Sequence, residues 1–225
     1  MKRLSAVRTI GGLAFGLLLA VASGAARADS LTLNLGTSLN GTAPTGTAPW
    51  ATMTFTSTTA GTVDLSISNN MPEAEFIPVL VFNTTVPSAN LSNISISQTP
   101  TGPQNDGVTI GTGLTGDPSI QAGNFNIQLD WATANNSNRF KGGKTVDFTI
   151  TDTVDKITAA SFDAVSTGTP GGYYAAAKVQ GIPGSKSGTI VAPTATVPEP
   201  SSGVLGLLGL AGASSLVWYR RRKSS

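Results

Sequence analysis

Short segments in which apolar and polar residues alternate one by one recur along this chain between residues 30 and 190. The clearest is Phe125–Trp131, where four apolar side chains share one face and Asn126, Gln128 and Asp130 share the other. A period of two residues is that of an extended strand with one buried face. Similar segments lie at residues 31–35, 52–56, 63–67, 94–96, 108–110 and 146–150, and a late strand is expected at residues 173–179.

The number and spacing of these segments predict an all-β body. Roughly eight to ten short strands, separated by turn residues, are typical of β-sandwiches and barrels. We therefore predict a β-sandwich with a jelly-roll-like outline over residues 29–180. Phe125–Trp131 and Val146–Ile150 are expected to pair as a hairpin. The apolar run Pro78–Phe82 predicts a strand buried on both faces, and a further strand is expected around Phe162.

Residues 181–197 differ in composition from the segments before them. They are rich in Gly, Pro, Ser and Thr and show little periodicity. Such a composition is typical of a flexible linker, so we predict that the body ends near residue 180.

Residues 1–28 have the parts of a secretory signal peptide. Three cations, the last of them Arg8, precede an apolar run at residues 10–22, and Ala26 and Ala28 are the small residues that signal peptidase requires. A transmembrane anchor or a buried core helix is the alternative, but the run is shorter than the ~20 residues that span a bilayer. Cleavage by signal peptidase, after delivery to the export machinery, is expected to follow Ala28.

Residues 198–225 predict a second membrane segment. The tripeptide Pro198, Glu199, Pro200 is followed by an apolar run at residues 203–219. A helix over this run would be about 25 Å long, close to the ~30 Å hydrocarbon core, so we predict a single transmembrane helix rather than a buried core helix. Four consecutive cations follow the predicted helix: Arg220, Arg221, Arg222 and Lys223. By the positive-inside tendency, this end of the helix lies on the cytoplasmic side.

This order of parts resembles the PEP-CTERM sorting signal of Gram-negative bacteria. The resemblance implies that exosortase, an integral-membrane cysteine protease, recognises Pro198, Glu199 and Pro200 and cleaves near them. It implies that the helix at 203–219 holds the precursor transiently in the inner membrane, that the cations at 220–223 retain it there, and that the body then reaches the cell surface or the extracellular space. Proteins with this signal are commonly associated with exopolysaccharide and with biofilm or floc production.

The body also resembles, more loosely, one recurring group of PEP-CTERM proteins. The similarity lies in Asn136–Phe140, before a predicted strand, and in the segment at residues 171–182, which begins Gly-Gly-Tyr-Tyr. This second resemblance implies no particular chemistry.

The charge of the body disfavours nucleic acid as a partner. Eight of the 14 basic residues lie in the two terminal segments, and between Asp29 and Val197 eleven acidic residues outnumber six basic ones, for a formal net charge of −5. Phosphate backbones bind to cationic faces. We therefore expect no nucleic-acid partner.

The absence of two residue types excludes several kinds of catalytic and metal-binding site. The sequence has no His and no Cys, which removes disulfides, Ser-His and Cys-His nucleophiles, and zinc sites with their usual ligands. Carboxylate chemistry survives, so Glu73 and Glu75 are candidates for a glycosidase pair.

Two further groups of side chains are candidate binding residues. Four aspartates lie close together in sequence and could bind calcium: Asp147, Asp152, Asp155 and Asp163. A solvated acidic loop is the preferred interpretation of these residues. Four aromatic rings could form a sugar-stacking platform: Trp50, Trp131, Tyr173 and Tyr174. Trp131 is nevertheless expected in the core.

The leading hypothesis from the sequence is a non-enzymatic exported protein with no catalytic residue, no bound metal and no required cofactor. It would act structurally or adhesively in the envelope or extracellular matrix, with exopolysaccharide as a partner. The alternative is a secreted carbohydrate-active enzyme that uses a carboxylate pair.

The signal-peptide hypothesis predicts that the exported protein begins at Asp29, because Ala26 and Ala28 fit the small pockets of signal peptidase. N-terminal sequencing or mass spectrometry of protein recovered from outside the cytoplasm tests it. Exported protein that retains Lys2 or Arg3 would contradict this prediction.

Overall fold

The structure is a computed structural model. It describes residues 29–196, apart from residues 101, 116, 117, 119, 135, 136 and 194. The described strands, in chain order, are β1 Ser30–Leu35, β2 Thr37–Gly41, β3 Ala51–Thr59, β4 Thr62–Asn69, β5 Phe76–Phe82, β6 Ser95–Gln98, β7 Asn105–Leu114, β8 Phe125–Trp131, β9 Phe140–Lys141, β10 Lys144–Thr151, β11 Ala175–Ile182, β12 Lys186–Ala192 and β13 Ala195–Thr196. Short 3-10 helices lie at Ser88–Asn93 and Ala159–Phe162.

The strands form two antiparallel sheets. The six-stranded sheet has the order β13-β1-β3-β4-β10-β6. The seven-stranded sheet has the order β2-β12-β11-β5-β8-β7, with β9 paired to β5. These sheets confirm the all-β prediction, and the finer jelly-roll outline stays a prediction.

The two sheets pack face to face around one main hydrophobic core. Alternate residues of β1 and β3 point into it, and they meet β5, β8, β11 and β12 from the other sheet. Phe55 of β3 lies 5.6 Å from Phe82 of β5, ring centroid to centroid, and stacks on Phe162 at 4.4 Å. Aromatic pairs of this kind add about 0.5–1.5 kcal/mol each beyond their buried area.

The outer face of the six-stranded sheet consists of small polar side chains. One row across it runs from Thr32 through Thr54 and Ser66 to Asp147, which are direct neighbours in the strand register. This row explains why β1, β3, β4 and β10 alternate so regularly, since one face contacts the core and the other contacts water.

Strand β5 is buried along its whole length, as its continuous apolar sequence predicts. One face of β5 contacts the main core. Its other face contributes Val79 and Val81 to a second apolar cluster. Ile120 and Ala122 from the chain between β7 and β8, and Phe125 at the start of β8, belong to the same cluster. Two buried faces leave no position along the strand for a polar residue.

The predicted hairpin of Phe125–Trp131 with Val146–Ile150 is wrong. Strand β8 pairs with β5 and β7 in the seven-stranded sheet, whereas β10 pairs with β4 and β6 in the other. The two strands face each other across the core, where Trp131 meets Phe148 edge-on at 6.5 Å. Alternation marks which face of a strand is buried and does not identify its hydrogen-bonded neighbour.

The strand expected around Phe162 is also absent. The chain there forms the 3-10 helix Ala159–Phe162, with a capping box between Thr158 and Ser161. Phe162 is fully buried against Phe55 and Phe82. Its apolar character therefore reflects a single core contact and not a strand period.

The flexible linker predicted over residues 181–197 is wrong for its larger part. Lys186–Ala192 forms β12, which lies between β2 and β11, and Ala195–Thr196 forms β13 at the edge of the other sheet. Ile190, Val191 and Ala192 are fully buried. Gly188 is needed in β12 because an added Cβ would overlap backbone atoms of Thr42 and Asn40. The Gly and Ser content therefore reflects close strand packing.

This correction predicts where the folding unit ends. A fragment of residues 29–196 should give a β-type circular-dichroism spectrum and one cooperative thermal transition. A fragment of residues 29–180 should not fold, because it removes a central strand and exposes β11 and β2. Equal thermal stability of the two fragments would contradict the placement of β12.

Candidate functional site

The two ends of the body lie side by side at one edge of the six-stranded sheet. Strand β13 pairs antiparallel with β1, with Leu33 opposite Ala195 and Thr32 opposite Thr196. From Ala195 to Thr196 the chain therefore advances toward Ser30, the first residue of β1. A segment that precedes Asp29 and a segment that follows Thr196 are attached at the same end of the molecule.

The strand register defines two ends of the sandwich. At the first, which we call the terminal end, Ser30 lies opposite Thr56, and the turn at Ala60–Gly61 contacts Asp152. At the other, which we call the far end, Leu35 lies opposite Ala51, Ala51 opposite Asn69, and Asn69 opposite Lys144. The far end is thus separated from both chain termini by the length of the strands.

The residues predicted to carry sorting lie outside the part of the chain that the structure describes. They are Ala26 and Ala28 at the expected cleavage site, Pro198, Glu199 and Pro200 of the motif, the helix at 203–219, and Arg220, Arg221, Arg222 and Lys223. Over the described residues 29–196, no helix is both long and apolar enough to span a membrane.

The distance in sequence between the fold and the motif is short. Thr196 is held in the sheet by β1, and Pro198 follows two residues later. Proline lacks an N–H group and cannot donate to a strand ladder. The body therefore fixes the position of the chain immediately before the motif.

The two glutamates weighed as a catalytic pair have different environments. Glu75 is buried, and its carboxylate accepts hydrogen bonds from the backbone N–H and the hydroxyl of Thr45. Glu73 is 81% exposed and lies 3.9 Å from the Nζ of Lys141. Glu75 thus ties the 42–50 loop to the segment before β5, while Glu73 projects into solvent. These two residues do not form one cleft with a matched pair of carboxylates.

The four aspartates weighed as calcium ligands are dispersed. Asp147 lies on β10, and Asp155 accepts a hydrogen bond from Asn90. Asp152 is buried and caps the turn after β10, where its Oδ1 accepts bonds from the N–H groups of Val154 and Asp155. Among the described residues, no group of three acidic side chains is close enough together to hold a metal ion.

The four aromatic residues weighed as a sugar platform also separate. Trp131 is 3% exposed and contacts Phe140 in the main core, as the sequence predicts. Trp50 and Tyr174 pack against the same core, whereas Tyr173 packs against the second cluster. Trp131 is buried and the other three rings are partly buried, against two different clusters, so the four do not share one exposed face.

A polar cleft that the sequence did not indicate lies where β5 ends and β8 begins. It has a volume of about 200 Å³, and Asn83, Thr84 and Asn126 line it. The Oδ1 of Asn83 accepts a bond from the N–H of Asn126, and the Oδ1 of Asn126 accepts one from the N–H of Thr84. These amides join two strand ends whose backbone groups would otherwise lack partners.

Comparison with known protein families identifies the C-terminal segment. Residues 196–223 match the PEP-CTERM protein-sorting motif. The match confirms the resemblance and indicates a protein that is anchored in the membrane as a precursor, processed by exosortase and exported to the cell surface. No curated protein and no solved structure matches the chain.

The different environments of the two glutamates predict different effects of substitution. Glu75→Ala should lower the free energy of unfolding by about 1–3 kcal/mol, because it removes two hydrogen bonds to a buried carboxylate. The matched change Glu73→Ala should stay within about 0.5 kcal/mol, since exposed ion pairs contribute little. Urea denaturation of both variants measures this. Equal effects would contradict the burial of Glu75.

Proposed function

We propose that this protein is a non-enzymatic component of the bacterial envelope or extracellular matrix, with a structural or adhesive role that involves exopolysaccharide. The observation that carries the proposal is the sorting motif, which begins at the last strand of the body. A signal of this kind delivers a folded domain to the surface.

The body is suited to presentation outside the cell. It has no cysteine, so its stability does not depend on a redox environment. The core extends over both sheets and includes six fully buried phenylalanines, Phe55, Phe82, Phe125, Phe140, Phe148 and Phe162. Such a core supports independent folding after the terminal segments are removed.

The arrangement of the termini fits a precursor held at two points. If the signal peptide and the tail helix insert in one membrane, the terminal end faces that membrane and the far end faces away. Both expected cleavages, after Ala28 and near Pro198–Pro200, then occur on the same side of the body. The body can leave the membrane without any change in its fold.

The parts of the tail are expected to have separable roles. Pro198 and Pro200 keep the chain extended and accessible, as a protease substrate requires, and Glu199 adds one charge. The cations at 220–223 resist transfer through the bilayer, since each costs several kcal/mol on insertion scales. Recognition and retention should therefore fail independently.

Pulse-chase labelling in a strain that contains exosortase tests the proposal. The precursor should shorten by about the mass of the tail and then appear in the matrix fraction that contains polysaccharide. Glu199→Ala should slow this shortening while the precursor stays in the membrane, and the neighbouring control Ser201→Ala should have little effect.

Two results would contradict the proposed function. One is protein outside the cell that retains the intact end from Arg220 to Ser225. The other is a shortened protein that never co-fractionates with polysaccharide.

A further inference from the structure

Half of the basic residues between Asp29 and Val197 lie in one cleft at the far end. Arg139, Lys141 and Lys144 line this cleft together with Glu73. Its volume is about 340 Å³. The same stretch of sequence has eleven acidic residues and only six basic ones, so composition does not explain the cluster. The three cations are close together in sequence, and the fold places all three at one cleft.

The local backbone explains how the cluster forms. Strand β9 pairs with β5 in the seven-stranded sheet, and β10 begins three residues later in the six-stranded sheet. The chain crosses between them at Gly142–Gly143. Gly143 has a φ of +75°, and a Cβ on Gly142 would overlap the carbonyl oxygens of Met71 and Pro72. This tight crossing places Lys141 and Lys144 at the same rim.

Arg139 is held in position by contacts that do not neutralise its charge. Its guanidinium lies 4.4 Å above the ring of Phe76, and its Nε donates to the carbonyl oxygen of Thr133 at 2.8 Å. Its Nη2 donates to the same oxygen. A guanidinium has five N–H donors, so donors remain for a ligand. A cation held by a ring and a carbonyl is ordered before any ligand arrives.

The cleft has more positive charge than the protein neutralises. Within the described part of the chain, the ion pair in this cleft is the one between Lys141 and Glu73, at 3.9 Å. Glu73 is 81% exposed, and pairs of this type are weak and easily exchanged. Three cations against one carboxylate favour an anionic ligand.

The position of the cleft indicates which anion it meets. Both terminal segments attach at the terminal end, opposite the cleft. If both insert in one membrane, the cleft faces away from that membrane. Near the terminal end lie the exposed aspartates Asp29 and Asp155, together with Lys156. The carbonyl oxygen of Asp29 accepts a bond from Ser57, and the turn after β10 bonds to Gly61. A lipid headgroup of the same membrane would meet these aspartates, whereas a polymer outside the cell would meet the cations.

We propose that the Arg139–Lys141–Lys144 cleft binds an acidic polysaccharide through its uronate carboxylates. The proposal rests on the proposed function, since it names the chemistry of the matrix partner. The guanidinium of Arg139 can accept a carboxylate in a two-pronged geometry, and each lysine adds a point charge beside it. No aromatic stacking is required, so recognition depends on charge and weakens with salt.

Binding of polygalacturonate to the full-length chain in detergent tests the proposal, provided that the eight basic residues of the two terminal segments are replaced by glutamine in the parent and in every variant. Biolayer interferometry with the protein immobilised should show binding at low ionic strength and loss of binding as NaCl rises. The double variant Lys141→Gln/Lys144→Gln should bind roughly tenfold more weakly, because two charge contacts with the ligand are lost. Lys156→Gln, which removes a cation far from the cleft, is the matched control and should bind as the parent does.

Two further probes identify the chemistry. Neutral dextran should not bind, since it has no carboxylate. The soluble short-chain lipid dihexanoylphosphatidylglycerol should not displace polygalacturonate. Circular dichroism should show that both variants keep the β-type spectrum and thermal transition of the parent.

Several outcomes would overturn the inference: no binding of polygalacturonate, equal loss of binding in Lys156→Gln, equal binding of dextran, or displacement by the lipid. Each of these leaves the proposed function intact if the protein still co-fractionates with matrix polysaccharide. Conversely, cleft-dependent binding by a protein that never leaves the membrane would contradict the proposed function alone.

Discussion

The pairing of β1 with β13 connects the first strand of the body to the last, and the arrangement of the molecule between its two terminal segments depends on it. Thr32 lies opposite Thr196, so the chain enters and leaves the fold at one edge. This pairing lies beside the core, where Leu31, Leu33 and Leu35 of β1 are buried. It fixes the end of the body to which both terminal segments are attached.

The sequence predicted the class of fold because burial follows simple periods. A period of two identified most of the long strands, from Leu31–Leu35 to Val146–Ile150, and a continuous apolar run identified β5. Pairing was not predictable in the same way. Strands β8 and β10 both turn an apolar face inward, and that pattern is the same whether they are neighbours in one sheet or face each other across the core.

The end of the body was misplaced for a related reason. Gly, Ser and Thr around β12 resemble a linker in composition, yet Gly188 is required by close contact with the backbone of Thr42, and Ile190 and Val191 are buried. The candidate carboxylates could be named from the sequence, but the sequence did not show which of them is buried and which is exposed. Only the fold distinguishes Glu75, bonded to Thr45, from Glu73 at the surface. The three cations of the far-end cleft lie close together in sequence, but their cleft depends on the crossing between sheets.

The most direct test of this account is the distance between the two ends of the body. The chain has no cysteine, so Ser30→Cys and Thr196→Cys introduce two unique sites for spin labels. Pulsed electron resonance should give a narrow distribution below about 20 Å, since neighbouring strands lie ~4.8 Å apart. A broad distribution, as expected for a flexible chain over residues 181–197, would contradict the pairing of β13 with β1 and the orientation that follows from it.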